Sequence, residues 1–254
     1  MAALLPTGYR RRTYDSLSST SAEAFAAARA GEWGGLWITA GEQTAGRGRR
    51  GRRWTTGRGN LAASLLLIDP APADAVPTVS FAAAVALHRA LTDMVGAGGA
   101  RLALKWPNDV LLDRRKVAGI LVEGERLTGG RSAVVIGLGV NCISHPEVAG
   151  PQAAVDLAAA GLPVEGEPLF GALATRFADA IAEWNRGAGF ASIRAAWLDR
   201  AAGIGEPISV ESAGRQVDGV FETVDATGRL VVRLRDGGTE TVSAGDVFLA
   251  AAAG

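Results

Sequence analysis

The segment Gly46-Arg47-Gly48-Arg49-Arg50-Gly51-Arg52-Arg53-Trp54 limits the architecture more than any other stretch of the chain. Strand-type apolar runs flank it at residues 36–40 and 60–68. The spacing Gly46-x-Gly48-x-x-Gly51 matches a dinucleotide fingerprint, and Asp69 stands at the end of the later run. Such a fingerprint has to open a helix that crosses back over the sheet. Only residues 52–59 separate the third glycine from the next strand, too few for a crossover and rich in Gly and Thr. The segment is a loop, and a doubly wound dinucleotide fold is excluded.

Six arginines fall between Arg47 and Arg58. They cannot all be buried, because each would need a partner. The interspersed glycines allow close backbone approach to a ligand, and guanidinium forks suit phosphate oxygens. A loop that wraps a polyanionic phosphate is the reading these features favour. With so much like charge, residues 46–59 are expected to stay mobile until an anion binds. A solvated surface segment and a nucleic-acid grip are the competing readings. Lys+Arg and Asp+Glu are both 26, so no global basic field recruits nucleic acid, and only Trp54 interleaves the arginines.

The remaining elements follow from periodicity and punctuation. Thr20-Ser21-Ala22-Glu23 has capping-box spacing before a helical run that Gly31 is placed to stop. A helix is expected near residues 78–95, ending at Gly96, with strands at 101–105, 116–123 and 133–140. Asp113-Arg114-Arg115 reads as the loop of a hairpin. Residues 145–168 are irregular, punctuated by Pro146, Pro151, Pro163 and Pro168. Leu169, Leu173, Phe177, Ile181 and Trp184 form the apolar stripe of a long helix, and a shorter helix follows at 190–200. From Pro207 the pattern changes to five short strands with Gly-rich turns, which suggests a small barrel. A boundary is placed near residues 203–206, giving domains 1–203 and 204–254.

The single cysteine, Cys142, excludes intramolecular disulfides and suits a reducing cytoplasm. In its apolar setting it reads as a small buried filler, and neither His88 nor His145 suggests a metal site. There is no apolar leader region in residues 1–14 and no run of membrane-spanning length, so a cytoplasmic protein is expected.

Two further segments carry chemistry. Lys105-Trp106-Pro107-Asn108-Asp109-Val110 closes a strand, and Asn108-Asp109 is a turn pair that can offer oxygen ligands. Lys116-Val117-Ala118-Gly119-Ile120-Leu121-Val122-Glu123 follows, with a lysine heading an apolar strand and a glycine inside it. Either lysine alone could be an edge charge. Together with the arginine loop and Gly137-Leu138-Gly139-Val140-Asn141, in this order and spacing, they resemble the biotin–protein ligase family. Leu17-Ser18-Ser19-Thr20 and Gln43 resemble that family's earlier ligand-binding positions, and the resemblance spans residues 13–249.

The resemblance implies an α+β fold, with a mixed sheet flanked by helices akin to class II aminoacyl-tRNA synthetases and an SH3-like carboxy-terminal β-barrel. It implies ATP-dependent conversion of biotin to biotinyl-5′-AMP and transfer to a lysine of biotin carboxyl carrier domains of carboxylases. Catalytic roles fall to Lys116, Arg49 and Asp109. Biotin is expected at Ser19, Thr20, Gln43, Gly46, Arg47, Gly48, Arg49, Lys116 and Gly119. ATP is expected at Arg49, Arg52, Trp54, Lys105, Asn108, Lys116 and Asn141, with magnesium at Asn108 and Asp109. Many members carry an amino-terminal winged helix that binds operator DNA. This chain starts almost directly at the catalytic portion, so neither specific DNA binding nor repressor activity is expected. No membrane association is expected, and a monomer or weak homodimer is. The family often has Asn after the Ser-Thr pair, where this chain has Ser21, so one biotin hydrogen bond is lost or rerouted. A lipoate–protein ligase or octanoyltransferase shares the acyl-transfer logic but accounts less well for the Lys105 motif and the arginine loop.

Overall fold

The computed structural model describes residues 4–147 and 153–249. Pro151, and the carboxy-terminal domain beyond residue 249, lie outside the described residues. The amino-terminal part is a seven-stranded mixed sheet in the order β1-β2-β3-β7-β6-β5-β4. Its strands are β1 (Arg10–Leu17), β2 (Leu36–Gln43), β3 (Leu61–Ile68), β4 (Leu102–Lys105), β5 (Asp109–Leu112), β6 (Arg115–Arg126) and β7 (Ser132–Val140). Among the described residues only β1 and β2 form a parallel ladder; helix α1 (Thr20–Arg29) connects them, and every other ladder of this sheet is antiparallel.

β1 was not legible in the sequence. RRRTYDSL lacks an apolar alternation because it is an edge strand exposed along most of its length. The helix cap also differs from the sequence reading. Ser19, not Thr20, is the N-cap, its Oγ accepting from the Ala22 N–H at 3.4 Å, which frees the Thr20 side chain for other work. The hairpin between β5 and β6 turns on Asp113 and Arg114 alone, both at positive φ, with Arg115 already in β6.

Alternation along the strands assigns the two faces of the sheet. Leu36, Ile38, Leu66 and Val135 pack against Ala24 and Phe25 of α1. Trp37, Leu65, Ile120, Ile136 and Leu138 face the other way, toward α2 (Val79–Val95), α3 (Gly166–Trp184) and α4 (Phe190–Leu198). Trp37 is fully buried there, edge-on to Phe170 and Phe177 at 5.5 and 5.3 Å between ring centroids. That same core continues into a second, five-stranded antiparallel sheet through Ile208, Val210 and Phe221.

The second sheet contains β8 (Pro207–Ser212), β9 (Arg215–Val224), β10 (Leu230–Arg233), β11 (Thr239–Val242) and β12 (Asp246–Leu249), ordered β11-β10-β9-β8-β12. The five expected strands are all present. Among the described residues no ladder joins β11 to β12, so the SH3-like sheet remains open rather than closing into a full barrel. No helix of the described residues is long and apolar enough to cross a membrane.

Trp37 gives a direct test of this packing. Among the described residues its buried indole Nε1–H meets no acceptor. Trp37→Ala should cost about 3–5 kcal/mol in chemical denaturation, whereas Trp37→Phe, which also deletes the unsatisfied donor, should cost far less. Equal losses for the two variants would contradict the edge-on aromatic packing as the source of stability.

Candidate active site

The site lies over the middle of the large sheet, where three glycines of β6 and β7 share one face. Gly119 and Gly139 are direct cross-strand partners, and Gly137 is the next residue of β7 on that face. The Trp54 indole rests on this floor: a Cβ on Gly139 would collide with the ring, and one on Gly119 would lie 3.3 Å from it. A Cβ on Gly137 would come within 2.8 Å of Ser21 Oγ. Glycine is required here by close approach.

Cations gather at one end of the floor. Lys116 Nζ lies 2.6 Å from Asp109 Oδ1 and 5.6 Å from the Trp54 ring centroid. The contact with Asp109 is ionic and poorly aligned, leaving Oδ1 without a conventional hydrogen bond. Lys105 is buried in β4 opposite Asp109 in register. Burial pushes its ammonium below the ordinary lysine range; Asp109 pulls it back up, and the neighbouring Lys116 charge pushes it down further. Arg49 donates to Asn108 Oδ1 at 3.2 Å and to the Gly245 carbonyl at 3.1 Å. Asn108 Nδ2 in turn donates to the Ile120 carbonyl at 2.6 Å, fastening the loop to β6.

The arginine loop was expected to need an external anion. The chain supplies one. Asp246, at the head of β12, accepts from Arg50 at 2.9 Å and from Arg52 at 2.8 Å, with Arg49 at 3.9 Å. Arg47 pairs with Glu123 at 3.3 Å. Burial lowers the Arg49 pKa, while Asp246 and Asp109 oppose the shift. Sequence inspection missed Asp246 because 194–197 positions separate it from its partners and nothing local marks it.

Hydroxyl groups occupy the opposite end. Gln43 Oε1 accepts from the Thr20 backbone N–H at 2.9 Å and from Thr20 Oγ1 at 3.1 Å. Gln43 Nε2 donates to Thr56 Oγ1 at 3.1 Å. Ser64, fully buried in β3, lies 2.7 Å from Thr20 Oγ1 and 3.1 Å from Ser21 Oγ. A lone hydroxyl in the apolar run LAASLLLI was the one available hint of Ser64.

A cavity of about 200 Å³ joins the two ends. It is lined by Ser19, Thr20, Gln43, Arg47, Gly48, Arg49, Arg52, Trp54, Lys105, Asn108, Asp109, Lys116, Gly119 and Asn141, so all but one of the expected site residues meet at one place. The exception is Gly46, which stands behind the wall, backed against the Trp54 carbonyl and the Gln43 amide. Asn141 is partly a brace: its Nδ2 donates to the Val155 carbonyl at 3.2 Å. Residues 153–157, read as irregular, run beside Lys116 and Asn141 and bond to both backbones. Burial drives the Cys142 thiol up to about 12, as suits a packed filler.

Residues 16–141 match the biotin/lipoate A/B protein ligase family, and residues 203–250 match the biotin protein ligase C-terminal domain. A biotin–[acetyl-CoA-carboxylase] ligase of Paracoccus denitrificans is 43% identical over 91% of this chain and 96% of its own length. The chain belongs to the biotin–protein ligase family. The corresponding ligase of Mycobacterium tuberculosis is 34% identical over 90% of the chain and 85% of that protein. In fold, the chain is similar to the Aquifex aeolicus biotin protein ligase solved with biotin and ATP, with a TM-score of 0.77 at 20% identity, covering 95% and 98% of the two chains.

Asn108 Oδ1 accepts from Arg49, and Asp109 lies against Lys116. Among the described residues no group of three or more His, Cys, Asp or Glu residues could hold a metal by protein ligands alone.

The Asp246 pairing makes the loop of this family member dependent on the second sheet. In Asp246→Ala, hydrogen–deuterium exchange at residues 49–52 should accelerate by about five- to tenfold, with little change in global unfolding. Unchanged exchange would show that Asp246 does not restrain the loop.

Proposed function

We propose that this chain activates biotin with ATP to biotinyl-5′-AMP and then transfers the biotinyl group to a lysine of a biotin carboxyl carrier domain. The observation that carries the reading is one cavity with hydroxyl groups at one end and Lys105, Lys116 and Arg49 at the other. Such a cavity suits a molecule with a polar ring and a distant carboxylate. A cytoplasmic monomer or weak homodimer is the assembly we assign to it.

In the first step a carboxylate oxygen attacks the α-phosphorus, the α–β phosphoanhydride bond breaks, and pyrophosphate leaves. The carboxylate is already ionised near neutrality, so no general base is required. The obstacle is repulsion between two anions, and catalysis consists of neutralisation and alignment. Lys116 is assigned to bridge the carboxylate and α-phosphate, Arg49 to close over them, and Lys105 to hold phosphate oxygens. Magnesium, as a companion of the ATP phosphates, needs few protein oxygens of its own. Trp54 and the free Oδ1 of Asn141 are assigned to the adenine. In the second step a lysine amine attacks the acyl carbon and AMP leaves, with Asp109 positioned to orient the amine.

ATP–pyrophosphate exchange with biotin, lipoate, octanoate or no acid tests the reading. Biotin alone should support exchange, and Lys116→Ala should reduce it by about 100-fold or more. Exchange with only lipoate or octanoate would move the chain to the sister activity.

The lowered Lys105 pKa gives a second test. The cation is lost as pH rises through a value below the ordinary lysine range, so kcat/KM for ATP should fall on the alkaline side earlier than for an exposed lysine. Lys105→Arg, charged throughout, should shift that fall to higher pH; an unchanged profile would remove Lys105 from phosphate binding.

A further inference from the structure

We infer that Ser64 is a positioning residue that fixes the hydrogen-bond polarity of the Thr20 and Ser21 hydroxyls, so that this part of the cavity wall accepts ring N–H donors. The substrate half of the inference rests on the biotin reading above; the polarity half stands on the geometry alone.

The direction of every hydrogen bond in the cluster follows from one atom. Gln43 Oε1 sits 2.9 Å from the Thr20 backbone N–H, which fixes the amide so that oxygen faces Thr20. An amide oxygen only accepts, so the Thr20 hydroxyl donates to it across 3.1 Å and its single hydrogen is spent. Across the 2.7 Å contact between Thr20 and Ser64, Ser64 must then donate. Across the 3.1 Å contact between Ser64 and Ser21, Ser21 must donate. The relay runs Ser21 to Ser64 to Thr20 to Gln43. Reversing it would press a Thr20 lone pair against the Gln43 oxygen in a buried setting.

Thr20 and Ser21 line the cavity, whereas Ser64 is fully buried behind them. With all three hydroxyl hydrogens turned inward, the cavity sees only lone pairs from these residues. Gln43 has also turned its amide nitrogen to Thr56. A saturated cyclic urea can direct its ring N–H donors at these lone pairs, and its carbonyl oxygen needs a donor from elsewhere in the lining, such as the Ser19 hydroxyl. A dithiolane or an alkyl chain leaves the lone pairs unmet. Ser21, in α1, thereby takes up a recognition role through a partner in β3.

Removing Ser64 frees the Ser21 hydrogen to rotate into the cavity. The test compares ATP–pyrophosphate exchange on biotin and on the two cyclic carbamate analogues in which one ring N–H is replaced by oxygen. The wild-type protein should prefer biotin by about 100-fold in KM for at least one analogue. In Ser64→Ala that preference should shrink by about tenfold, because biotin weakens while the analogue does not. A merely structural role would raise both KM values equally and leave the ratio fixed, which overturns the inference. Should Ser64→Ala not fold, Ser64→Cys, whose thiol is only a weak donor and acceptor, keeps the volume, loosens the same relay and should shrink the ratio likewise.

Neutron diffraction of the ligand-free protein decides the polarity whatever acid is activated. A deuteron on Ser64 directed at Thr20 sustains the relay. A deuteron on Thr20 directed at Ser64 overturns it, and does so separately from any failure of biotin to support exchange.

Discussion

Positive charge held close together in the absence of its ligand is the constraint on which the site depends. Lys105, Lys116 and the loop arginines repel one another, and Lys105 is also buried. Two carboxylates offset this: Asp109 stands against Lys116, and Asp246 against Arg49, Arg50 and Arg52. Neither acid is a neighbour of its partners along the chain. The large sheet supplies one at the start of β5, and the small sheet supplies the other at the start of β12. The two sheets are therefore bound by electrostatics at the cavity mouth as well as by the apolar core they share. Trp106 strengthens that junction by donating to the Gly228 carbonyl at 3.1 Å.

The cavity floor is set by absence. Gly119, Gly137 and Gly139 leave the backbone of β6 and β7 bare, and Trp54 and the Ser21 hydroxyl move into the space. Hydroxyl and cationic ends are separated by this floor, so a ligand that spans it meets neutral polar groups at one end and cations at the other. The fold achieves the separation by drawing the hydroxyls from the start of α1 and from β3, and the cations from β4, β6 and the arginine loop.

Much of this was legible in the sequence, for identifiable reasons. Strands β2, β3 and β7 are largely buried on both faces and read as apolar runs, and β6 is legible from its apolar stretch at residues 117–122. The residues of the arginine loop and the two lysine segments converge because each closes or follows a strand of the same sheet. What was hidden shares a different property. β1 is a polar edge strand whose place is set by parallel pairing with β2. Asp246 and Ser64 act through partners far away in sequence, and a solitary acid or hydroxyl has no periodicity. The capping-box spacing beginning at Thr20 misplaced the helix start by one residue, since Ser19 offered the same cap chemistry one position earlier.

The strands under the cavity carry two messages on alternate residues. Gly119, Gly137 and Gly139 face the ligand side, while Ala118, Ile120, Ile136, Leu138 and Val140 belong to the core beneath α2 and α3. A slip of one position would drive isoleucine and leucine into the cavity and leave glycines facing the helices. Folding to the right register and shaping the cavity are thus one requirement rather than two. A chain that packs its core correctly has already carved its binding surface, and a chain that mispairs these strands loses both together.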